Sequence, residues 1–142
     1  MRFVLDNSVA MRWLLDDGSA EVQEYARSVL QLLASGDTAV VPNLFALEAA
    51  NVLAKSQKRG LVSEADARVF LSLLADLDIE TDATTHERAL HSTSNIALQH
   101  DLSAYYAAYL ELALREGLPL ATLDADLSTA IVRAGGVRVL IR

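Results

Sequence analysis

The chain has 142 residues, 52% of them hydrophobic and none of them cysteine, and its formal net charge is −7. This length suits one ordinary domain with a single core. The missing cysteines exclude disulfides and thiolate metal sites, and the negative charge argues against non-specific nucleic-acid binding through a broad basic surface.

The pattern of the N-terminal stretch is typical of neither a membrane span nor a signal peptide. No apolar run in the chain approaches the roughly 18 residues of a membrane helix. Asp6 interrupts the first apolar segment, and Asp16 and Asp17 follow soon afterwards. We therefore expect a cytoplasmic protein, in agreement with the lack of cysteine. If its substrate is nucleic acid, a divalent cation or a basic partner protein must offset the negative charge.

The first fifteen residues predict the opening of an α/β unit. Residues 3–5 form a short apolar run typical of a buried strand, and the polar turn 6–8 ends it abruptly. Ser8 is then predicted to cap a helix that carries apolar residues as far as Leu14. In open α/β sheets, ligands bind beyond the carboxyl ends of the strands. Asp6 lies at such an end.

The rest of the chain alternates helices with short strands. Helices are predicted over 19–33, 43–58, from Ser63 through Leu74, over 85–99, from Ser103 to Gly117 and over 127–134; strands are predicted over 38–41, 77–80, 119–123 and 137–141. This alternation favours one α/β domain over residues 1–142, with a mainly parallel sheet of about four to five short strands flanked by helices.

Three acids stand where a core residue or a simple turn would be expected. Glu48 lies within the apolar stripe of its predicted helix, where a charge is costly unless it is paired or binds metal, and Asn51 could share its face. Asp6 and Asp124 each close an apolar strand, and Asp126 follows Asp124 by two residues. Parallel strands bring their carboxyl ends to one edge, so Asp6 and Asp124 are predicted to be neighbours.

Clustered carboxylates raise one another's pKa unless a cation lies between them. Mg²⁺ and Mn²⁺ suit such a cluster because both prefer oxygen ligands. A bound ion of this kind can activate water for attack on a phosphodiester. The simpler alternative is that the strand-end acids are only turn formers or helix caps.

Four stretches of the chain resemble the PIN-domain family, in particular its VapC-type toxin ribonucleases. They lie in the order and spacing of that family and span nearly the whole sequence: VLDNSVAMRWLL at 4–15, VPNLFALEAANVL at 41–53, LSAYYAAYLELA at 102–113 and LATLDADL at 120–127. Any one stretch is a weak signal, whereas the four together are specific.

The resemblance implies an Mg²⁺- or Mn²⁺-dependent endoribonuclease, a homodimer, and a cognate antitoxin protein that blocks the site. It places the catalytic and metal-binding acids at Asp6, Glu48 and Asp124, with Asp126 as a further metal ligand. Ser8 and Thr122 match small hydroxyl positions beside the first and last acids. There they could orient a carboxylate or a metal-bound water.

Tyr106 departs from the family pattern, which usually has aspartate at this position. A neutral phenol is a poor ligand for a hard cation and brings no charge at pH 7. The helical stripe alone would make Tyr106 a core residue. The departure predicts either a weakened enzyme or a catalytically lapsed PIN-fold module that binds antitoxin or RNA without cutting it.

Several other features are given structural interpretations. His86, His91 and His100 follow no metal-ligand spacing. Tyr105 and Tyr109 fit a core stripe better than an RNA-stacking surface. The basic cluster Lys55, Lys58, Arg59 and Arg68 is adequately explained by a helix end whose dipole it complements, with guidance of a phosphate backbone as the minority interpretation.

Overall fold

The computed structural model describes residues 1–141, and its centre is a four-stranded, wholly parallel sheet. The strands are β1 (Arg2–Leu5), β2 (Thr38–Pro42), β3 (Ile79–Asp82) and β4 (Leu120–Ala121), in the order β3-β2-β1-β4. The parallel α/β class predicted from the sequence is confirmed. Because β1 and β4 are hydrogen-bonded neighbours, the residues that follow them meet at one edge.

Helices connect and flank these strands. They are α1 (Asn7–Ala10), which continues into a 3-10 turn at Met11–Trp13, α2 (Ala20–Ala34), α3 (Leu44–Lys58), α4 (Glu64–Asp76), α5 (Thr85–Arg88), α6 (Ser94–His100), α7 (Ala104–Glu116) and α8 (Ala125–Arg133). Ser19, Ser63 and Ser103 cap α2, α4 and α7, each accepting a hydrogen bond from a backbone N–H three residues later. Serine suits this position because its hydroxyl oxygen satisfies a free N–H of the first turn.

Several predictions differ from the structure; the strand predicted over 119–123, for example, is β4 and spans only Leu120–Ala121. The predicted strand over 137–141 is wrong: Arg138 makes an isolated bridge to Leu120, because β4 is only two residues long and offers no longer ladder. The strand predicted over 77–80 begins instead at Ile79. The helix predicted over 85–99 contains a π-helical turn at Ala89–Thr93. Ser8 lies inside α1 rather than capping it, since its hydroxyl is bonded to the Asp6 carboxylate.

The core is built around β1 and α7. Phe3, Val4 and Leu5 of β1 are fully buried, as expected for the strand between two neighbours. From α7 the core receives a continuous buried run from Ala107 to Ala113. A helix that is buried over two turns against a central strand is held rigidly. Side chains at the N-terminal half of α7 are thereby fixed relative to the end of β1.

An almost buried ion-pair network joins the end of β3 to α7. The Arg115 guanidinium donates to Glu111 (Nε to Oε1, 2.8 Å) and to Asp82 (Nη2 to Oδ2, 2.8 Å), and the side chains of these two acids are 6% and 12% exposed. Removal of the cation would leave two buried carboxylates without their partner.

We expect Arg115→Met to lower the free energy of unfolding by about 3–5 kcal/mol, the cost of breaking a buried ion pair from one side. Urea denaturation would measure it. Arg68→Met is the matched control, because the Arg68–Glu64 pair is exposed at both ends and such pairs contribute about 0–1 kcal/mol. Equal losses in the two variants would contradict a stabilising role for the buried network.

Among residues 1–141, no helix combines the length and the apolar character that crossing a membrane requires.

Candidate active site

Asp6 lies at the carboxyl end of the central strand β1 and is only 1% exposed. Two hydroxyl groups donate to its Oδ2 atom, Ser8 Oγ at 2.5 Å and Thr122 Oγ1 at 2.7 Å. A buried carboxylate needs such donors, since burial without hydrogen bonds is costly. The orientation of the Asp6 side chain is therefore fixed by residues from two different strand ends.

The two hydroxyl groups are themselves held by the backbone after β4. Ser8 Oγ accepts the Leu123 N–H at 3.0 Å, and Thr122 Oγ1 accepts the Asp124 N–H at 3.0 Å. Each oxygen thus accepts from the backbone and donates to Asp6. This arrangement supports the orienting role that the resemblance implied for Ser8 and Thr122.

Glu48 lies on α3, and its carboxylate is reached from α7. The hydroxyl of Tyr109 donates to Glu48 Oε1, and the tyrosine itself is fully buried. The prediction of Tyr109 as a core residue is therefore confirmed. The sequence pattern did not indicate that its hydroxyl also restrains an acid of the site.

The pKa values of Asp6 and Glu48 are both raised in the folded protein. Burial is the main cause of the raised pKa of Asp6, and the charge on Asp124 adds to it, although the Ser8 and Thr122 hydrogen bonds oppose the shift. Burial also raises the pKa of Glu48, with a further contribution from Asp6 and an opposing one from the Tyr109 hydrogen bond. The acids predicted from the sequence therefore repel one another electrostatically.

Asp124 lies at the N-cap of α8, where its Oδ1 accepts the Leu127 N–H at 2.8 Å. The simple alternative from the sequence, a strand-end aspartate that caps a helix, thus describes part of what this residue does. Its contribution to the raised pKa of Asp6 shows that the same carboxylate is also an electrostatic neighbour of the buried acid.

Tyr106 lies among all three acids. Burial raises the pKa of its phenol, and the charges on Asp124, Asp6 and Glu48 raise it further. The side chain is 36% exposed and lines the cleft described next, so the sequence-based interpretation of Tyr106 as a core residue is wrong. The phenol remains protonated and neutral at pH 7, at the position where the family usually has an aspartate.

A cleft of about 430 Å³ opens at this edge of the sheet. Its walls include Asp6, Glu48 and Tyr106, together with Asn7. Asn7 is 8% exposed, and its Oδ1 is the one buried side-chain oxygen or nitrogen within residues 1–141 that has no hydrogen-bond partner. Burial of an acceptor without a hydrogen-bond partner costs free energy. The feature of the sequence that could have pointed to Asn7 is its position next to Asp6.

Two predicted site residues, the supporting residue Asn51 and the metal ligand Asp126, lie elsewhere. Asn51 is exposed and does not line the cleft. Asp126 is in the exposed first turn of α8, where it lines a separate cavity with His100 and Asp101. The predicted metal-ligand role of Asp126 stays a prediction that this geometry does not favour.

The donor chemistry of the cleft fits a hard divalent cation, although no preformed cage exists. In the part of the chain that the structure describes, no three histidine, aspartate or glutamate side chains are grouped closely enough to hold a metal ion. Glu48 is bonded to Tyr109, Asp124 caps α8, and Tyr106 lies near both carboxylates. The charge on Asp124 nevertheless contributes to the raised pKa of Asp6, and the charge on Asp6 to that of Glu48, and such repulsion is what Mg²⁺ or Mn²⁺ would neutralise.

The fold and site together define a parallel α/β domain with coupled acids at the carboxyl edge of its sheet. The family model of the PIN domain matches residues 3–131. The chain belongs to the PIN-domain family, and its likeness within that family is to the VapC-type toxins.

A curated relative and two solved structures illustrate this likeness. Ribonuclease VapC3 of Pyrobaculum aerophilum is 32% identical over 128 residues, covering 90% of this chain and 93% of the relative. The crystal structure of PAE2754 from the same organism has a TM-score of 0.68 at 21% identity, covering 98% of this chain and 84% of that one. VapBC2 of Rickettsia felis, bound to a DNA fragment from its promoter, has a TM-score of 0.63 at 14% identity, covering 99% and 98%. The two structures share the fold.

Proposed function

We propose that this protein is an endoribonuclease toxin of the VapC type that hydrolyses RNA phosphodiester bonds with Mg²⁺ or Mn²⁺. The observation that carries the proposal is the burial of Asp6 at the carboxyl end of β1, in a cleft that Glu48 also lines, with Asp124 as a further acid near Asp6. The 32% identical relative named a ribonuclease supports the reaction class. PIN nucleases in general use divalent metal ions.

Asp6, Glu48 and Asp124 would hold the ion. When bound, it supplies activation of water and stabilisation of the negative charge that develops on the phosphodiester. The chain's own contribution is orientation: Ser8 and Thr122 fix one oxygen of Asp6, and Tyr109 restrains one oxygen of Glu48. Preorganised ligands of this kind avoid rearrangement at the moment of reaction.

Asn7 and Tyr106 complete the cleft with uncharged groups. Asn7 lines the cleft beside Asp6 without adding charge. Tyr106 contributes no charge, so fewer carboxylates compensate the ion than in relatives with aspartate at this position. We therefore propose an active enzyme with a raised requirement for metal.

The proposed partners are RNA, a second copy of the chain and a cognate antitoxin. The likeness to a VapBC structure supports the antitoxin. The homodimer and the cytoplasmic location rest on the family resemblance and on the absence of cysteine.

Cleavage of a panel of structured RNAs in Mn²⁺ tests the function. We expect cutting that EDTA abolishes and that Glu48→Gln reduces at least about a hundredfold, since loss of a charged ligand removes stabilisation of several kcal/mol. Asp76→Asn, which removes one exposed acid outside the cleft, should leave the rate within about twofold. Cleavage that persists in EDTA, or that both variants reduce equally, would contradict the proposal.

A further inference from the structure

The cleft continues from the acids toward the C-terminal end of α3. Lys55 and Arg59 line it there, on the same wall as Glu48 and Val52. These four residues are spaced three or four apart and therefore share one face of the helix. At a rise of about 1.5 Å per residue, Lys55 lies about 10 Å and Arg59 about 16 Å along the axis from Glu48.

Both cations are available to a ligand. Within residues 1–141 neither Lys55 nor Arg59 has a carboxylate at ion-pair distance, and both are exposed. Arg12, which also lines the cleft, is paired with Asp17. Although the net charge of the chain is −7, Lys55 and Arg59 bring two unpaired positive charges into the same cleft as the acids.

The helix dipole explains why basic residues lie at this helix end but not why two of them line the cleft. Lys58 complements the dipole equally well because it is in the last turn of α3. It lies outside the cleft, whereas Lys55 and Arg59 are on the wall that carries Glu48. The dipole therefore accounts for basic residues in the last turn, but it does not account for the position of Lys55 and Arg59 on the face of α3 that borders the cleft.

We propose that Lys55 and Arg59 form a phosphate-binding subsite for the RNA strand that flanks the bond being cut. The inference rests on the proposed ribonuclease function and adds the direction in which the strand leaves the acids. Phosphate groups next to the scissile one would contact the two cations. Val52, which lies between Glu48 and Lys55 on this face, and Leu61, which also lines the cleft, would contact ribose and base.

The test is binding of a fluorescein-labelled single-stranded RNA of about twelve nucleotides, measured by anisotropy over a range of NaCl concentrations. Every protein is the full chain with Glu48→Gln, which is included to slow cleavage during the binding measurement. The variant pair Lys55→Gln/Arg59→Gln is compared with Lys58→Gln/Arg68→Gln, which removes the same charge from positions outside the cleft. All four positions are exposed, and thermal melts check that each protein is folded.

We expect the variant Lys55→Gln/Arg59→Gln, the cleft pair, to bind this RNA at least about tenfold more weakly at low salt than the parent protein does. Its salt dependence should flatten by about 0.7 in the log–log slope for each phosphate that is no longer neutralised by a cation. The control pair should keep the parent slope and bind less than about threefold more weakly. In the cleavage assay without the Glu48 change, the cleft pair should raise KM more than it lowers kcat, because flanking phosphates are bound alike in the ground state and the transition state.

Equal losses of affinity in the two pairs, or no loss in either, would overturn the subsite while RNA cleavage by the unmodified chain still supported the ribonuclease. If the unmodified chain neither binds nor cuts RNA, the ribonuclease and the subsite fall together.

Discussion

Replacing Tyr106 with aspartate is expected to raise Mn²⁺-dependent RNA cleavage at least about tenfold, equivalent to about 1.4 kcal/mol of transition-state stabilisation. The Mn²⁺ concentration that gives half-maximal rate should fall as well. The reason is electrostatic: a neutral phenol near Asp6, Glu48 and Asp124 would be exchanged for a fourth anionic oxygen ligand. Initial rates over a Mn²⁺ titration measure both effects.

Two controls separate charge from size and position. Tyr106→Asn removes the same bulk without adding charge, and we expect it to recover only a small part of the gain. Tyr105→Asp adds the same charge one residue away on α7, at a side chain that is 68% exposed and does not line the cleft. It should leave the rate unchanged.

The outcomes also decide between enzyme and binding module. If the unmodified chain cuts RNA and the aspartate variant cuts faster, three acids suffice for a weakened enzyme. If only the aspartate variant cuts, the present chain is a lapsed module on a nuclease scaffold. Equal gains in Tyr106→Asp and Tyr106→Asn would show that the phenol acts by filling space, and the electrostatic account of this position would then be wrong.

Asp6→Asn is expected to stabilise the metal-free protein at neutral pH while it abolishes stabilisation by metal. The folded-state pKa of Asp6 is raised, mainly by burial, so its ionised form is disfavoured in the native state. Asparagine keeps an oxygen that can accept from Ser8 and Thr122 but carries no charge. In a protein near this length, each kcal/mol gained raises Tm by about 2–4 °C.

The sign of the effect fixes its pH dependence. An acid whose pKa is higher in the folded than in the unfolded protein binds more protons in the native state. The free energy of unfolding therefore falls as pH rises from the ordinary pKa of aspartate, about 4, through the raised value in the folded protein. The advantage of Asp6→Asn should therefore be absent near pH 4, grow above it and become constant once Asp6 is fully ionised. Thermal melts in EDTA over this pH range would follow it.

Addition of Mn²⁺ should reverse which of the two proteins, the unmodified chain or Asp6→Asn, has the higher Tm. A ligand that binds only the folded state stabilises it by about 2.7 kcal/mol at a hundred times its Kd. The unmodified chain should gain Tm with Mn²⁺, whereas Asp6→Asn should not. Asp16→Asn, which removes an exposed acid outside the cleft, should behave as the unmodified chain does in both conditions. A Tm in Asp6→Asn that still rises with Mn²⁺ would place the metal elsewhere.

Much of the fold was predictable because its signals are local. Apolar runs marked the strands, serine caps marked the starts of α2, α4 and α7, and alternation of the elements indicated a parallel sheet. The error at residues 137–141 arose because strand formation there depends on the length of the neighbour β4, which is a property of the partner rather than of the segment.

The candidate site was predictable in part. Asp6 and Asp124 follow from the rule that parallel strands end at one edge, and Glu48 from a charge inside an apolar stripe. Asn7 was missed because an unsatisfied acceptor is visible only when all its neighbours are known. The basic pair Lys55 and Arg59 was attributed to the helix dipole, since a sequence does not show which helix face borders a cleft.

The sequence by itself determined the class of fold, the positions of the strand-end acids and the departure at Tyr106. Only the tertiary structure decided how those groups are restrained. The bond from Tyr109 to Glu48 spans 61 positions, and the contact between Ser8 and Thr122 spans 114. Local periodicity sets which face of an element is apolar, but the partner of a buried polar atom is set by packing between elements distant in the chain.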